Sequence, residues 1–255
     1  MPDAKRTGPC PRCDKRSTID EMWNGLTEAL RRLATFDPAL LEIVLLSFRV
    51  SGTALLVSTV LGIPLGAGLG LSHFVGRRLV TVLIYTGMGL PPVVVGLFVY
   101  LLLSRSGPLG RLDSPLIPDL FTPGAMVVAQ VLLSVPLVAG FTMASVLGVD
   151  PGLRHQVQAL GATRVQAAWA VLTEARGGVI VSIIAGFGSI ISEVGAVMMV
   201  GGNIEHRTRV LTTAIVLETR KGNFDLALAL GLILLALTFL TNIAMLALQG
   251  RSLDR

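Results

Sequence analysis

Residues 150–176 read DPGLRHQVQALGATRVQAAWAVLTEAR, a polar, helix-prone stretch set between long apolar runs. Asp150 is a good N-cap and Pro151 a good first helical residue, so a short helix is expected to begin there and run to Leu160. Gly161 permits a left-handed exit, and Thr163 with Gln166 then supplies a capping box for a second short helix. That second helix carries Val165, Ala168, Trp169 and Leu172 near one face. The expected unit is two capped helices with a tight bend at Leu160, Gly161, Ala162, Thr163 and Arg164. Such an element can lie across a membrane surface and plug into a partner's groove.

The surroundings define the class. The chain has 255 residues, 52% apolar and 15% charged, and its mean hydropathy is +0.73, values of a membrane protein and not of a soluble core. Five runs reach the roughly 20 helical residues needed to cross about 30 Å of hydrocarbon. They are approximately Leu40–Leu71, Leu79–Leu103, Ala125–Leu147, Gly177–Val200 and Leu226–Leu248. The first is overlong, so it is expected to tilt or to carry its ends beyond the hydrocarbon. A closed barrel would need short alternating strands, and no such alternation occurs. The basic stretch at the start leads into Trp23–Phe36 with no small-residue cleavage site, so it does not read as a secretory signal. Thr18 and Glu21 can cap a helix with Met22, Trp23, Leu26, Leu30 and Leu33 on one face, which suits the membrane interface. Asp37 and Pro38 then introduce the first span. Cys10 and Cys13 form a lone CxxC, half of a zinc site with nothing to complete it.

The Gly161 segment resembles the signature loop of permease subunits of ATP-binding-cassette importers: Glu-Ala-Ala, three residues, Gly, nine residues, Ile-x-Leu-Pro. Gly161 takes the glycine place and Val171 the isoleucine place; His155, Gln156 and Val157 replace Glu-Ala-Ala, and Thr173-Glu174 replaces Leu-Pro. Gly89–Gly96 (GLPPVVVG), Glu193–Asn203 (EVGAVMMVGGN) and the LALALG run ending at Gly231 are similar to the molybdate and tungstate importer permeases. The resemblance extends from Trp23 onward and is closest to the tungstate type. It implies an all-α integral membrane protein with the type I ABC importer permease fold and about five transmembrane helices per protomer. The expected organisation is a disordered tail at 1–21, an interfacial amphipathic helix at 22–36 and a transmembrane permease domain at 37–250, with 150–176 as its cytoplasmic coupling loop. The implied partners are a second copy, an external oxyanion-binding protein, the bilayer and cytoplasmic ATPase subunits that use ATP and Mg; nucleic acid is not among them, and no cofactor is bound directly. No GxxxxGK[ST] phosphate cradle occurs in the chain, so ATP as an energy source must be bound by another subunit.

A cytoplasmic Gly161 loop puts the N-terminus outside. Outside segments then carry 13 Lys or Arg against seven inside, contrary to the positive-inside rule. Translation from Met22 would remove five of the 13, and N-terminal sequencing that found earlier residues would dismiss that explanation. Within the runs, Arg49 and Glu193 are charges whose isolated burial in lipid costs on the order of 2.5–3.5 kcal/mol on insertion scales. They read either as an anion-path residue (Arg49) and a gate residue (Glu193), or as helix anchors that hydrogen-bond or pair with each other. Pro91 and Pro92 in span two and Pro136 in span three are expected to break or kink their helices. Gly62, Gly66 and Gly70 are spaced for close helix approach. Gly195, Met198, Met199, Gly201, Gly202 and Asn203 combine small residues with adaptable thioethers, a composition suited to a gate and equally to ordinary packing. Arg207 and Arg209 could attract a dianion. A self-contained channel or secondary transporter would show an ion relay or inverted repeats. A membrane-embedded enzyme would need clustered ligands, and His73, His155 and His206 are scattered among loops.

Overall fold

Long apolar segments separated by Gly, Pro and charged residues can satisfy their backbone in lipid only as helices, and the computed structural model has helices as its regular elements. It describes Thr27 and residues 38–72, 74–112, 114–115 and 117–253. Cys10, Cys13, the Thr18–Glu21 box, Asp37 and the Trp23–Phe36 helix expected above lie outside the described residues, Thr27 excepted, which is helical. The elements are α1 (Pro38–Leu71), α2 (Arg77–Met88), α3 (Pro92–Leu103), α4 (Pro123–Leu147), α5 (Pro151–Ala159), α6 (Arg164–Glu174), α7 (Arg176–Ile191), α8 (Gly195–Gly201), α9 (Leu211–Lys221) and α10 (Phe224–Leu253).

Three helices, α1, α4 and α10, are long and apolar enough to cross a membrane unbroken. Two bent pairs, α2 with α3 at 105° and α6 with α7 at 70°, bring the number to as many as five if each pair is one span. Span two is therefore not a single rod. Its break falls at Leu90–Pro91, with Pro91 extended (φ −63°, ψ 123°) as the N-cap and Pro92 opening α3, because neither proline can donate into a continuous ladder. Pro136 behaves differently: α4 runs through it without interruption. The expected fourth run, Gly177–Val200, is also divided, since α7 stops at Ile191 and α8 restarts at Gly195.

The scaffold is the pair α1 and α4, which run parallel. Gly62, Gly66 and Gly70 of α1 press on α4: a Cβ at Gly62 would lie 2.8 Å from Val138, one at Gly66 would meet the Ala139 carbonyl, and one at Gly70 would lie 2.6 Å from Val146. The glycine spacing is thus a packing seam. Between the same helices the hydroxyls of Ser58 and Ser134 hydrogen-bond. This fixes the register at 76 residues, so that Arg49 lies level with Ala125 in the first turn of α4. With 34 residues, α1 is about 51 Å long at ~1.5 Å per residue, well beyond the roughly 30 Å hydrocarbon. Its N-terminal turns project past the start of α4, where Leu40 packs with Leu211, Ala214, Leu230 and Ile233 of α9 and α10. Glu218 closes the α9–α10 corner by accepting from Lys221 Nζ and Asn223 Nδ2, each at 2.8 Å, and these donors hold its carboxyl below the usual range, Asn223 contributing most.

Candidate functional site

Three features stand out along the α1–α4 axis: a hook at one face, a pair of broken helices between the faces, and a basic rim at the far face.

The hook is built by local chemistry. Asp150 Oδ1 accepts from Gly152 N at 2.9 Å to cap α5, and Gly161 takes φ +92°, a region open to glycine at little cost. The capping box at the head of α6 is complete, with Gln166 N donating to Thr163 Oγ1 and Thr163 N donating to Gln166 Oε1. Ala167 and Val171 are buried, and Val171 joins Ala67, Val146 and Ala175 in a cluster that seats α6 on the ends of α1 and α4. Two arginines complete the seat: Arg77 Nε donates to Leu69 O at 2.8 Å and Arg154 Nη1 to Leu71 O at 2.7 Å, capping the last carbonyls of α1. The outer side of the hook is apolar, with Leu160 88%, Val165 79% and Trp169 72% exposed. Arg164 is exposed and Ala162 half-buried beside them. A cavity of about 830 Å³ opens next to it, lined by Ser145, Asp150, Gln156, Glu174 and Arg176 among others.

Between the faces, the two helix breaks meet. A Cβ at Gly195 would lie 2.7 Å from Val93, and one at Gly96 would lie 2.6 Å from the Ala196 backbone, so the heads of α3 and α8 pack backbone to backbone. The level follows from α4: Pro136 faces Gly87 just before one break, and Gln130 bonds Ile190 just before the other. Those two positions lie about 20 and 10 Å from the start of α4 at ~1.5 Å per residue, so one break falls near its middle and the other in its first third. Glu193 is 8% exposed, and its Oε1 accepts from Ala196 N at 2.9 Å. Its carboxylate therefore sits on the free N–H groups of α8, where a negative charge is favoured. The pairing of Glu193 with Arg49 allowed by the sequence is not made: Arg49 is exposed on α1 at the far-face level, and Glu193 is occupied by the cap. Met198 and Met199 are half-buried. Gly201 lies against Met126, whose Cγ and Sδ would each be 3.0 Å from a Cβ at that position.

At the far face, strained backbone is concentrated. Gly202 has φ +70°, with the Phe121 ring 2.7 Å from where a Cβ would sit, and Phe121, Asn203 and His206 have φ +59°, +51° and +57°. Each L-residue there carries a conformational cost. Asn203 Nδ2 donates to Thr213 O at 3.3 Å. Arg207 is exposed and borders a cavity of about 630 Å³ that Arg105 and Asp119 also line. Arg209 is half-buried and bridged to Glu205 at 3.0 Å. His206 Nδ1 lies 2.6 Å from Glu42 Oε2, joining this loop to the projecting end of α1.

The Glu42 contact raises the His206 pKa above its ordinary 6.5, first by the hydrogen bond and then by the carboxylate's charge. A raised folded-state value means that the contribution of the pair is fully present below the unfolded pKa and is lost as pH rises through the folded one. Both side chains are exposed, so the effect is small. The stability difference between wild type and His206→Gln is expected to be largest below pH 6.5 and to shrink at higher pH, as read from melting temperatures across a pH series.

Polar side chains inside the bundle form a further set that the motif reading misses. Thr142 and Ser182 hydroxyls bond at 3.0 Å, Gln130 Nε2 donates to Ile190 O, and Thr212 Oγ1 donates to Glu193 O at 3.0 Å. Their signal in the sequence is the presence of an amide or hydroxyl in an otherwise apolar run.

The profile of the family described as "Binding-protein-dependent transport system inner membrane component" matches residues 62–253. A probable anion ABC transporter permease protein of Haloferax volcanii is 44% identical over 85% of this chain and 91% of the relative. A tungstate uptake system permease protein of Peptoclostridium acidaminophilum is 39% identical over 88% of this chain and 96% of its own. The fold is similar to a chain in the crystal structure of a bacterial alginate ABC transporter with its periplasmic protein, with a TM-score of 0.68, 18% identity and coverage of 89% and 86%. With its bundle of apolar helices, this chain belongs to the family of inner-membrane permease components of binding-protein-dependent ABC transport systems.

Proposed function

We propose that this chain forms, as a homodimer, the membrane path of an ATP-driven oxyanion importer, with tungstate as its substrate and molybdate as the second reading. The observation that carries the substrate is the 39% identity to a tungstate uptake permease across 88% of the chain. In this reading the hook faces the cytoplasm and the rim faces outside. Separate subunits bind ATP and Mg and grip Leu160, Val165 and Trp169, the apolar side chains that the hook leaves uncovered. An external binding protein delivers the anion to the rim, where Arg49, Arg207 and Arg209 raise the local concentration of a dianion by their field. The broken helices around Pro91, Pro92, Glu193, Gly195, Met198, Met199, Gly201, Gly202 and Asn203 form the gate. Closure of the ATPase pair pulls the two hooks together and repacks this region as a rigid-body switch.

A strain lacking the gene is expected to lose high-affinity tungstate accumulation and to regain it with the native chain. Unchanged accumulation of both tungstate and molybdate would refute the substrate assignment and leave the family membership standing. Loss of molybdate alone would select the second reading.

A further inference from the structure

The break that ends α7 is held from the side by two neutral groups. Gln130, 3% exposed on α4, donates Nε2 to the Ile190 carbonyl at 3.3 Å, and Thr212 donates to the Glu193 carbonyl at 3.0 Å. Both carbonyls lie where α7 stops, and that of Ile190 also accepts from Glu193 N at 3.3 Å. Donation of Nε2 to the Ile190 carbonyl sets the orientation of the Gln130 amide and turns Oε1 away. That oxygen is buried and has no hydrogen-bond partner among the described residues. Gln130 borders a small cavity lined also by Ser47, Ser51, Thr212, Ile191 and Leu234, where α1, α4, α7, α9 and α10 converge.

The cavity measures about 10 Å³. This suits one water molecule, since about 10–15 Å³ of such space is the minimum for one, and it excludes a tetrahedral oxyanion. Its polar lining also matches a water. Ser47 is already committed, donating to Ile43 O at 2.7 Å and accepting from Leu211 N at 2.9 Å. Thr212 has used its proton on Glu193 and keeps an acceptor lone pair. Ser51 is buried and its hydroxyl is free to donate into the cavity. Polar cavities of this size fill, whereas apolar ones stay dry, and a buried amide oxygen without a donor is costly.

We propose that a single resident water occupies this cavity, accepting from Ser51 and donating to Gln130 Oε1 and Thr212 Oγ1, and that Gln130 is thereby the positioning residue of the broken span. A water is a partner that can re-orient as the break moves, so the amide and the α7 carbonyls stay bonded in more than one arrangement. The water site stands on the cavity and the unpaired oxygen alone; the positioning role rests on the gate reading given above.

The test uses the assembled importer with its ATPase subunits. A map that resolves ordered water is expected to show a peak within about 2.7–3.2 Å of Gln130 Oε1 and Ser51 Oγ; ordered side chains around an empty cavity would overturn the site. Ser51→Ala removes a water ligand and no bond between residues, so the peak should vanish, and its persistence unchanged would overturn the assigned ligand set. For positioning, Gln130→Leu is expected to lower oxyanion uptake per ATP hydrolysed several-fold in proteoliposomes while the complex still assembles, and an unchanged ratio would refute it. Should that variant fail to fold, Ser51→Ala is read by the same ratio, with a smaller fall expected and no fall counting against the role. Absence of uptake by the wild-type complex would instead refute the importer reading, with the map still deciding the water.

Discussion

Gly161→Val is expected to reduce transport more than tenfold while leaving the bundle folded. The space around Gly161 is open, with nothing within 4 Å of a Cβ, so the cost is conformational and not a clash. An L-residue in the left-handed region costs roughly 1–2 kcal/mol, and a β-branched side chain sits at the upper end because its χ1 is restricted as well. The hook relieves that cost by rotating φ to negative values. Such a rotation redirects α6 relative to α5 and moves Trp169 and Val165 away from Leu160. The α6 seat on Val171 and Ala175 is lost or strained in turn, whereas the α1–α4 seam is remote and stays intact. Association with the ATPase, measured by co-purification, should fall in parallel with uptake. Gly161→Asn is the informative partner, because asparagine tolerates left-handed backbone better than other L-residues and should retain a substantial part of both. Undiminished association in Gly161→Val would refute the coupling role of the bend.

Gly66→Ala is expected to give the largest loss of stability, and Gly68→Ala almost none. The two positions lie two residues apart on the same helix, so propensity is matched; alanine would even favour the helix by about 1 kcal/mol over glycine at each. They differ in what a methyl group meets. At Gly66 it would enter the Ala139 carbonyl and come within 2.9 Å of Thr142 Cβ, whereas at Gly68 nothing lies within 4 Å. Backbone atoms cannot move aside as the tip of a side chain can, so α1 must separate from α4 along the seam. Overpacking of this kind costs on the order of 1–3 kcal/mol, and the separation also weakens the Ser58–Ser134 bond on the same seam. Thermal melting of the purified protein in detergent decides the comparison: a drop of several degrees for Gly66→Ala with no change for Gly68→Ala. Equal effects would show that the seam is not closely packed.

The parts of this molecule that are legible in its sequence are those whose cause is local. Asp150, Pro151, Thr163 and Gln166 cap helices through neighbours in sequence, and the hook they build has the expected form. The prolines at 91 and 92 announce a break for the same reason, although the angle of 105° depends on how α2 and α3 pack on other helices. The division of the fourth run at Glu193 has no such sign. No proline lies there, and the break is held by Gln130 and Thr212, which stand 60 and 19 positions along the chain from the carbonyls they bond. Hydropathy does not set the level of Arg49 along the bundle, because it measures how long an apolar run is and not which residue of a neighbouring helix lies beside it. The Ser58–Ser134 register puts that residue level with the first turn of α4. The glycines of α1 show where a neighbour approaches, and the identity of that neighbour, α4, comes from the tertiary structure.

In the proposed mechanism a separate ATPase drives the opening of the path through the hook. The most direct measurement is uptake of radiolabelled tungstate into proteoliposomes containing the chain, its ATPase subunits and Mg-ATP inside, and the binding protein outside. Uptake is expected only when all components are present, and it is expected to be lost in Gly161→Val. Tungstate entry through the chain alone, driven by an ion gradient and indifferent to ATP, would contradict it.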